Sequence, residues 1–249
     1  MRALHQGLRP LKRWLKRGYN RLTETRSSGL AEEVGFWDEW FRTRGSNWPE
    51  EYARRLDSGA PLADCHRSFI DHLPQTEIRI LDVGAGPLTL IGKTHPTKRL
   101  VIVATDVLAE QYDVLLGKYG VEPPVRTLFA DAEKLADQFG DESFDFVNAV
   151  NCIDHTANPI EAVRQMIRVV KTGCFVFLSH AQNEAENQLY AGLHQWNLVS
   201  DSGDFVVKGR RQSTNVSREL ASLAEFSCQT NADSGLHVQI RKKQALPAA

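Results

Sequence analysis

The sequence predicts an α/β fold: a seven-stranded, mostly parallel sheet with an antiparallel last strand, an N-terminal helical prelude, and an insertion after strand five. Three observations carry that expectation. Apolar, strand-like runs alternate with helical patterns at intervals of about 25 residues, which means βαβ units. The first run (Ile78, Ile80, Leu81, Val83, with Asp82 among them) meets Gly84 and Gly86, a strand turning sharply toward a helix. Near the other end, two short runs joined at Asp233-Ser234-Gly235 read as a closing antiparallel pair.

Taken in order, residues 1–28 form a basic amphipathic segment. Leu8, Leu11, Trp14, Leu15 and Leu22 share one helical stripe, with Arg9, Lys12, Arg13, Lys16, Arg17 and Arg21 on the other sides, until Ser27, Ser28 and Gly29 break the pattern. Two readings stand for residues 5–25: a helix lying on an anionic membrane surface, or one packed on its own domain or a partner. Residues 29–74 read as a helical cap. Phe36, Trp37, Trp40 and Phe41 recur at helical spacing and read as core rather than as a stacking platform. A second helix follows Pro49, with Ser46 or Asn47 as its cap. Arg54, Arg55 and His66 read as surface residues.

Residues 75–249 supply the sheet. Strand one covers 78–83, followed by a helix to about Lys93. Strand two covers 100–106 and a helix 109–120; strand three ends at Asp131; strand four spans 144–155; a helix covers 158–170; strand five spans 174–180. The lid insertion, 181–215, reads as a helix from Glu184 to Leu193 and a hairpin turning through Ser200 to Gly203. A helix over 217–226 precedes the closing pair.

Composition bounds what the chain does. At 249 residues with 42% hydrophobic content, there is ample material for one α/β core. A net charge of −1 carries no nucleic-acid signature, but the charge is uneven: residues 1–26 hold eight Lys/Arg against Glu24 alone. Cys65, Cys152, Cys174 and Cys228 are scattered without paired spacing and read as reduced core residues of a cytoplasmic protein. With no apolar run of the roughly 18 residues that span a bilayer, the expected location is the cytoplasm, or the inner face of the membrane if residues 5–25 attach there.

Apart from His194 in the insertion, every polar residue singled out for chemistry lies at the carboxyl end of a strand, where open α/β sheets collect ligands. Gly84, Ala85 and Gly86 form a turn that lets the backbone approach a ligand closely. Asp106, about 20 residues further on, offers two acceptor oxygens to two ribose hydroxyls. The NAD-type fingerprint wants a third small residue where Thr89 stands. An acid two positions before the first glycine, as Asp82 stands to Gly84, instead resembles the Rossmann-like class I S-adenosylmethionine-dependent methyltransferases, although Leu88 replaces their frequent third glycine. The resemblance implies that Asp82 orients the glycine loop, that Asp106 contacts the ribose with Val107 beside it in the cofactor site, that Asp131 and Ala132 meet the adenine edge, and that Asn151 contacts the methionine part of S-adenosyl-L-methionine. Residues 144–180 narrow it to the quinone-biosynthesis, or type 11, group: Asp154-His155, then Pro159, a helix, and Lys171-Thr172-Gly173, with Cys174 in place of a second glycine.

A methyl acceptor that is a hydroxyl must lose a proton, and histidine suits that task. His155 leads, with Asp154 to orient it; His180 and His194 are rivals, and each histidine equally suits a structural role. No His/Asp/Glu group has a metal spacing, apart from a His180 to Glu184 pair that a helix would align, and no metal is expected. The reading is therefore O-methylation of a small-molecule, glycan or lipid-linked acceptor. A non-catalytic S-adenosylmethionine-binding module and an NAD-dependent oxidoreductase are the alternatives. If residues 5–25 bind anionic surfaces, deleting residues 1–26 removes co-sedimentation with anionic vesicles; unchanged sedimentation of the truncated chain refutes the attachment.

Overall fold

The computed structural model describes residues 26–230 and 235–244. Residues 5–25, read above as an amphipathic helix, lie outside them, as does most of the Asp233-Ser234-Gly235 turn. The described chain begins with helix α1 (Arg26–Thr43), then α2 (Pro49–Leu56) and the short α3 (Asp64–Arg67). Strands β1 (Glu77–Val83) and β2 (Arg99–Asp106) follow, then α4 (Ala109–Tyr119), β3 (Thr127–Phe129), α5 (Leu135–Phe139), β4 (Phe144–Val150), α6 (Pro159–Val169) and β5 (Val170–Ala181). The insertion holds α7 (Glu184–Asn187), β6 (Asn197–Asp201), β7 (Asp204–Lys208) and β8 (Ser213–Asn215). Helix α8 (Val216–Glu219), β9 (Ala224–Thr230) and β10 (Gly235–Lys242) end the described chain.

The main sheet has seven strands in the order β3-β2-β1-β4-β5-β10-β9. The first five are mutually parallel, and β10 runs antiparallel to both β5 and β9. The predicted sheet is thus present, and the order reverses at β1. The chain leaves β1 toward β2 on one side and leaves β4 toward β5 on the other, so a crevice opens beyond Val83 and Val150. One sheet face packs Leu81, Val83, Val147, Ala149, Val176 and Leu178 under α6. The opposite face packs Ile78, Ile80, Phe146 and Phe177 under Leu62, Phe69, Ile70 and Ile91.

That second face corrects the reading of the stretch after β1. No helix forms between residues 84 and 98. Pro87, Gly92 and Pro96 interrupt the run, and its backbone finds partners elsewhere: Lys93 N and Thr94 N donate to Ala60 O at 2.7 and 3.1 Å, Leu62 N donates to Thr94 O at 2.9 Å, and the Arg55 guanidinium donates to Leu88 O. A helix requires i to i−4 bonding, and these groups are already engaged by the cap.

Other boundaries shift for similar reasons. Helix α1 runs straight through Ser27-Ser28-Gly29; a Cβ on Gly29 would lie 2.9 Å from Leu193 Cδ2, so the small residue admits the insertion. Trp48, not Ser46 or Asn47, occupies the cap position of α2. Strand β3 stops at Phe129 and β4 at Val150. Lys171-Thr172-Gly173 lies within β5, where the β4 pairing slips between Phe144 and Phe146. The insertion helix ends at Asn187, because Leu189 and Tyr190 take left-handed backbone. Helix α8 ends at Glu219. The predicted hairpin forms around Ser202 and Gly203, joined by the unforeseen β8 into a three-stranded sheet. Cys174 and Cys228 are buried as expected, whereas Cys65 is exposed. Among the described residues, no helix is long and apolar enough to cross a membrane.

Gly92 has ordinary backbone, yet a Cβ there would lie 2.1 Å from Pro61 O; at Gly117 in α4 a Cβ meets nothing. Gly92→Ala should therefore destabilise the chain by about 1–3 kcal/mol and Gly117→Ala stabilise it by about 0.4–1 kcal/mol, compared by urea unfolding; equal effects would show that residues 84–98 do not dock on the cap.

Candidate active site

The crevice beyond β1 and β4 is a cavity of about 700 Å³ roofed by the cap and the insertion. Asp82 sits beneath it, buried at the end of β1. Register places Asn148 directly beside it on β4, and Asn148 Nδ2 donates to Asp82 Oδ1 at 2.7 Å. Thr89 Oγ1 donates to Asp82 Oδ2 at 2.5 Å and accepts from Ile91 N. Burial pushes the Asp82 carboxyl upward, against the pull of these hydrogen bonds. Asp82 thus ties β1, β4 and the glycine loop together.

Gly84 and Gly86 have φ of +64° and +65°. Side chains of the protein itself press on both: a Cβ on Gly84 would lie 2.3 Å from Cys152 Cβ, and one on Gly86 would lie 2.6 Å from Trp37 Cζ2. The glycines are needed for turn geometry and for this packing, whereas the sequence suggested ligand approach alone. Trp37 is held by its indole N–H donating to Glu33 at 2.8 Å, and the Arg55 guanidinium lies 5.5 Å from its ring and 5.6 Å from that of Trp40. Arg55 is accordingly buried, contrary to its surface reading; Arg54 is exposed as expected. His66 is also buried, between Phe146 and Phe177, and burial lowers it to about 4.

Asp106 closes β2 at the cavity wall. Its Oδ2 accepts from Gly86 N at 3.2 Å and its Oδ1 from Leu108 N at 3.0 Å. Desolvation raises it to about 6. Gly84, Ala85, Gly86, Val107, Ala132 and Asp131 line the same cavity, with Asp131 capping the turn that follows through Glu133 N at 3.0 Å. Asn151 also lines it, with left-handed backbone and its Oδ1 accepting from Ala181 N.

Beyond β4 the chain makes a tight turn (Ile153–His155) that carries Asp154 and His155. His194 reaches them from the insertion, which Trp196 latches by donating to Thr156 O at 3.0 Å. Asp154 Oδ2 lies 2.8 Å from His194 Nδ1 and 3.4 Å from His155 Nε2, and the two nitrogens are 3.1 Å apart. Asp154 is oriented chiefly toward His194, not His155 as the sequence suggested. Burial opposes ionisation of both partners, yet the His194 hydrogen bond and the neighbouring imidazoles hold Asp154 below the usual carboxylate range, and Asp154 holds His194 above its ordinary value. His180 does not join them. It lies within β5, with no helix linking it to Glu184; it faces a separate recess lined by Ser179, Gln182 and Asn187, and burial lowers it to about 4. Glu33, Trp37, Glu51, Arg55 and Gln188 complete the cavity and were not singled out as site residues. All but Gln188 belong to the cap, whose docking no local pattern reveals.

The sheet order, the glycine turn and the acid at the end of β2 define a class I methyltransferase fold. Residues 81–178 match the family model described as a methyltransferase domain. A Methanococcus maripaludis protein described as a candidate S-adenosyl-L-methionine-dependent methyltransferase superposes with a TM-score of 0.50 at 13% identity, over 86% of this chain and 94% of its own. The CMeT domain of the citrinin polyketide synthase gives 0.50 at 18% identity, over 71% of this chain and 50% of its own. No curated protein matches the sequence.

Because the folded carboxyl of Asp106 is raised above its unfolded value of 3.8, its contribution to stability is present at acid pH and lost as pH rises through about 6. Wild type should therefore gain stability relative to Asp106→Asn as pH falls from 7.5 to 5, read from urea midpoints at each pH; a constant difference would mean that Asp106 is freely solvated.

Proposed function

We propose that the chain is an S-adenosyl-L-methionine-dependent methyltransferase acting on an oxygen of a small-molecule, glycosyl or lipid-linked acceptor. The observation that carries this reading is one cavity in which Asp106, Asp131 and the glycine turn line the β1 to β3 side, while Asp154, His155 and His194 stand beyond β4. Its volume suits a nucleoside-sized ligand with room for a second molecule. The donor fits the acids present. A carboxylate offers about four lone-pair positions, so Asp106 retains acceptor capacity for a ribose after binding Gly86 N and Leu108 N. Asp131 and Ala132 follow as the adenine edge, and Asn151 stands at the methionine side.

The donor, when bound, supplies a methyl group on a positively charged sulfur. The protein's part is to hold the acceptor oxygen in line with that methyl, keep water out and take up a proton. The Trp37 and Leu193 side chains close the cavity from the cap and the insertion. With its Nδ1–H donated to Asp154, neutral His194 leaves Nε2 as the nitrogen with a lone pair, and the ionised carboxylate steadies the imidazolium that forms. His194 is thus assigned as the base and His155 as its neighbour.

Calorimetry and product analysis test the two halves separately. Asp106→Ala should abolish donor binding. His194→Ala should keep it while lowering turnover by about 10²- to 10⁴-fold, read as S-adenosylhomocysteine released with a cell extract. Donor binding without release of that product under any acceptor would reduce the chain to a binding module. Binding of NAD in place of the donor would overturn the assignment altogether.

A further inference from the structure

The cluster beyond β4 has a property that acid-base work does not require. Asp154 Oδ2, His155 Nε2 and His194 Nδ1 converge on one point, at mutual distances of 2.8, 3.1 and 3.4 Å. Protons satisfy this arrangement poorly. Once His194 Nδ1–H is given to Asp154, His155 Nε2 presents either a second N–H to an oxygen already engaged or a lone pair. A cation satisfies all three at once. Tetrahedral coordination at about 2.0–2.2 Å sets ligand atoms about 3.3–3.6 Å apart, so the closest pair of donors needs to separate by roughly 0.5–0.8 Å and the other two pairs by less.

The surroundings suit an ion. Asp154 is buried and supplies the negative charge, while both imidazoles line the cavity, so the remaining coordination positions open into it. Glu33 and Glu184, on the cap and the insertion, add negative charge around His194. Position is fixed before binding, because the turn after β4 and the insertion are joined by the Trp196 to Thr156 hydrogen bond and by Gln195 N donating to Asp154 O.

We propose that Asp154, His155 and His194 form a binding site for a divalent transition-metal ion, with two nitrogens and one carboxylate oxygen as ligands and open positions facing the cavity. That donor set favours ions of the zinc, cobalt and nickel kind over magnesium or calcium, which prefer all-oxygen shells. The ion and the protons compete for the same atoms, so the metal-loaded and protonated forms are alternative states of one site. The proposal does not depend on the methyl-transfer reading, since it concerns these three donors alone.

The test uses the full chain in a Cys65→Ser background, which removes an exposed thiol that binds the same ions. After chelator treatment, cobalt(II) is titrated while the visible absorption is recorded, and zinc(II) binding is measured by calorimetry. The expected result is one equivalent bound, with the visible band of a low-coordinate cobalt site. Removing a ligand should cost more than the 10- to 100-fold typical of an outer-shell change, so Asp154→Asn, His155→Ala and His194→Ala should each weaken binding at least about 100-fold. Circular dichroism identifies any variant that fails to fold, and His155→Ala, on the partly exposed turn, then carries the comparison. Absence of binding to the parent chain, or binding undiminished in a folded variant, overturns the proposal. Donor affinity measured on the same samples stays unchanged in either case if the methyl-transfer reading holds, which separates the two failures.

Discussion

The buried carboxylate of Asp82 is the constraint on which the cavity depends. A carboxyl group at this depth is costly unless its oxygens are engaged, and here they are met by Asn148 from the adjacent strand and by Thr89 from the loop that follows. Those two bonds lock the glycine loop over the ends of β1 and β4. The loop in turn sets the backbone N–H of Gly86 against Asp106. Three strands are thereby coordinated through one acid, and Asp106 on the cavity wall is positioned by a group that lies beneath it.

The cap substitutes for a missing element. Where a helix would cover β1, residues 84–98 run as an irregular loop, and the face is closed by Leu62, Phe69 and Ile70. Arg55 joins the layers, donating to Leu88 O while its guanidinium lies against Trp37 and Trp40. This single buried cation ties the roof of the cavity to its floor. On the other side the insertion performs a similar task, bringing His194 to a turn that precedes it by about forty residues.

Much of this was readable from local pattern. The alternation of strands and helices yielded the sheet, and the positions of Asp82, Gly84, Gly86, Asp106 and Asp131 at strand ends placed one wall of the cavity. A strand–turn–helix unit puts a helix after β1, but Pro87, Gly92 and Pro96 oppose it locally. Arg55 and His66 look like surface residues in the sequence because isolated polar side chains usually are; they are buried because aromatic partners on distant elements surround them. His180 and His194 looked equivalent in the sequence. Only the path of the insertion separates them, placing one at a separate recess and the other beside Asp154.

Local pattern along the chain sets the strands, their βαβ connectivity and the acids and glycines at strand ends, because hydrophobic period and turn chemistry act over a few residues. The tertiary structure decided which side chains meet: Trp37 over Gly86, Cys152 against Gly84, and Asp154 with His155 and His194. Contacts between residues separated by tens of positions depend on how the cap and the insertion pack against the sheet. That packing comes from shape and burial summed over whole elements, and it leaves no periodic mark in the chain.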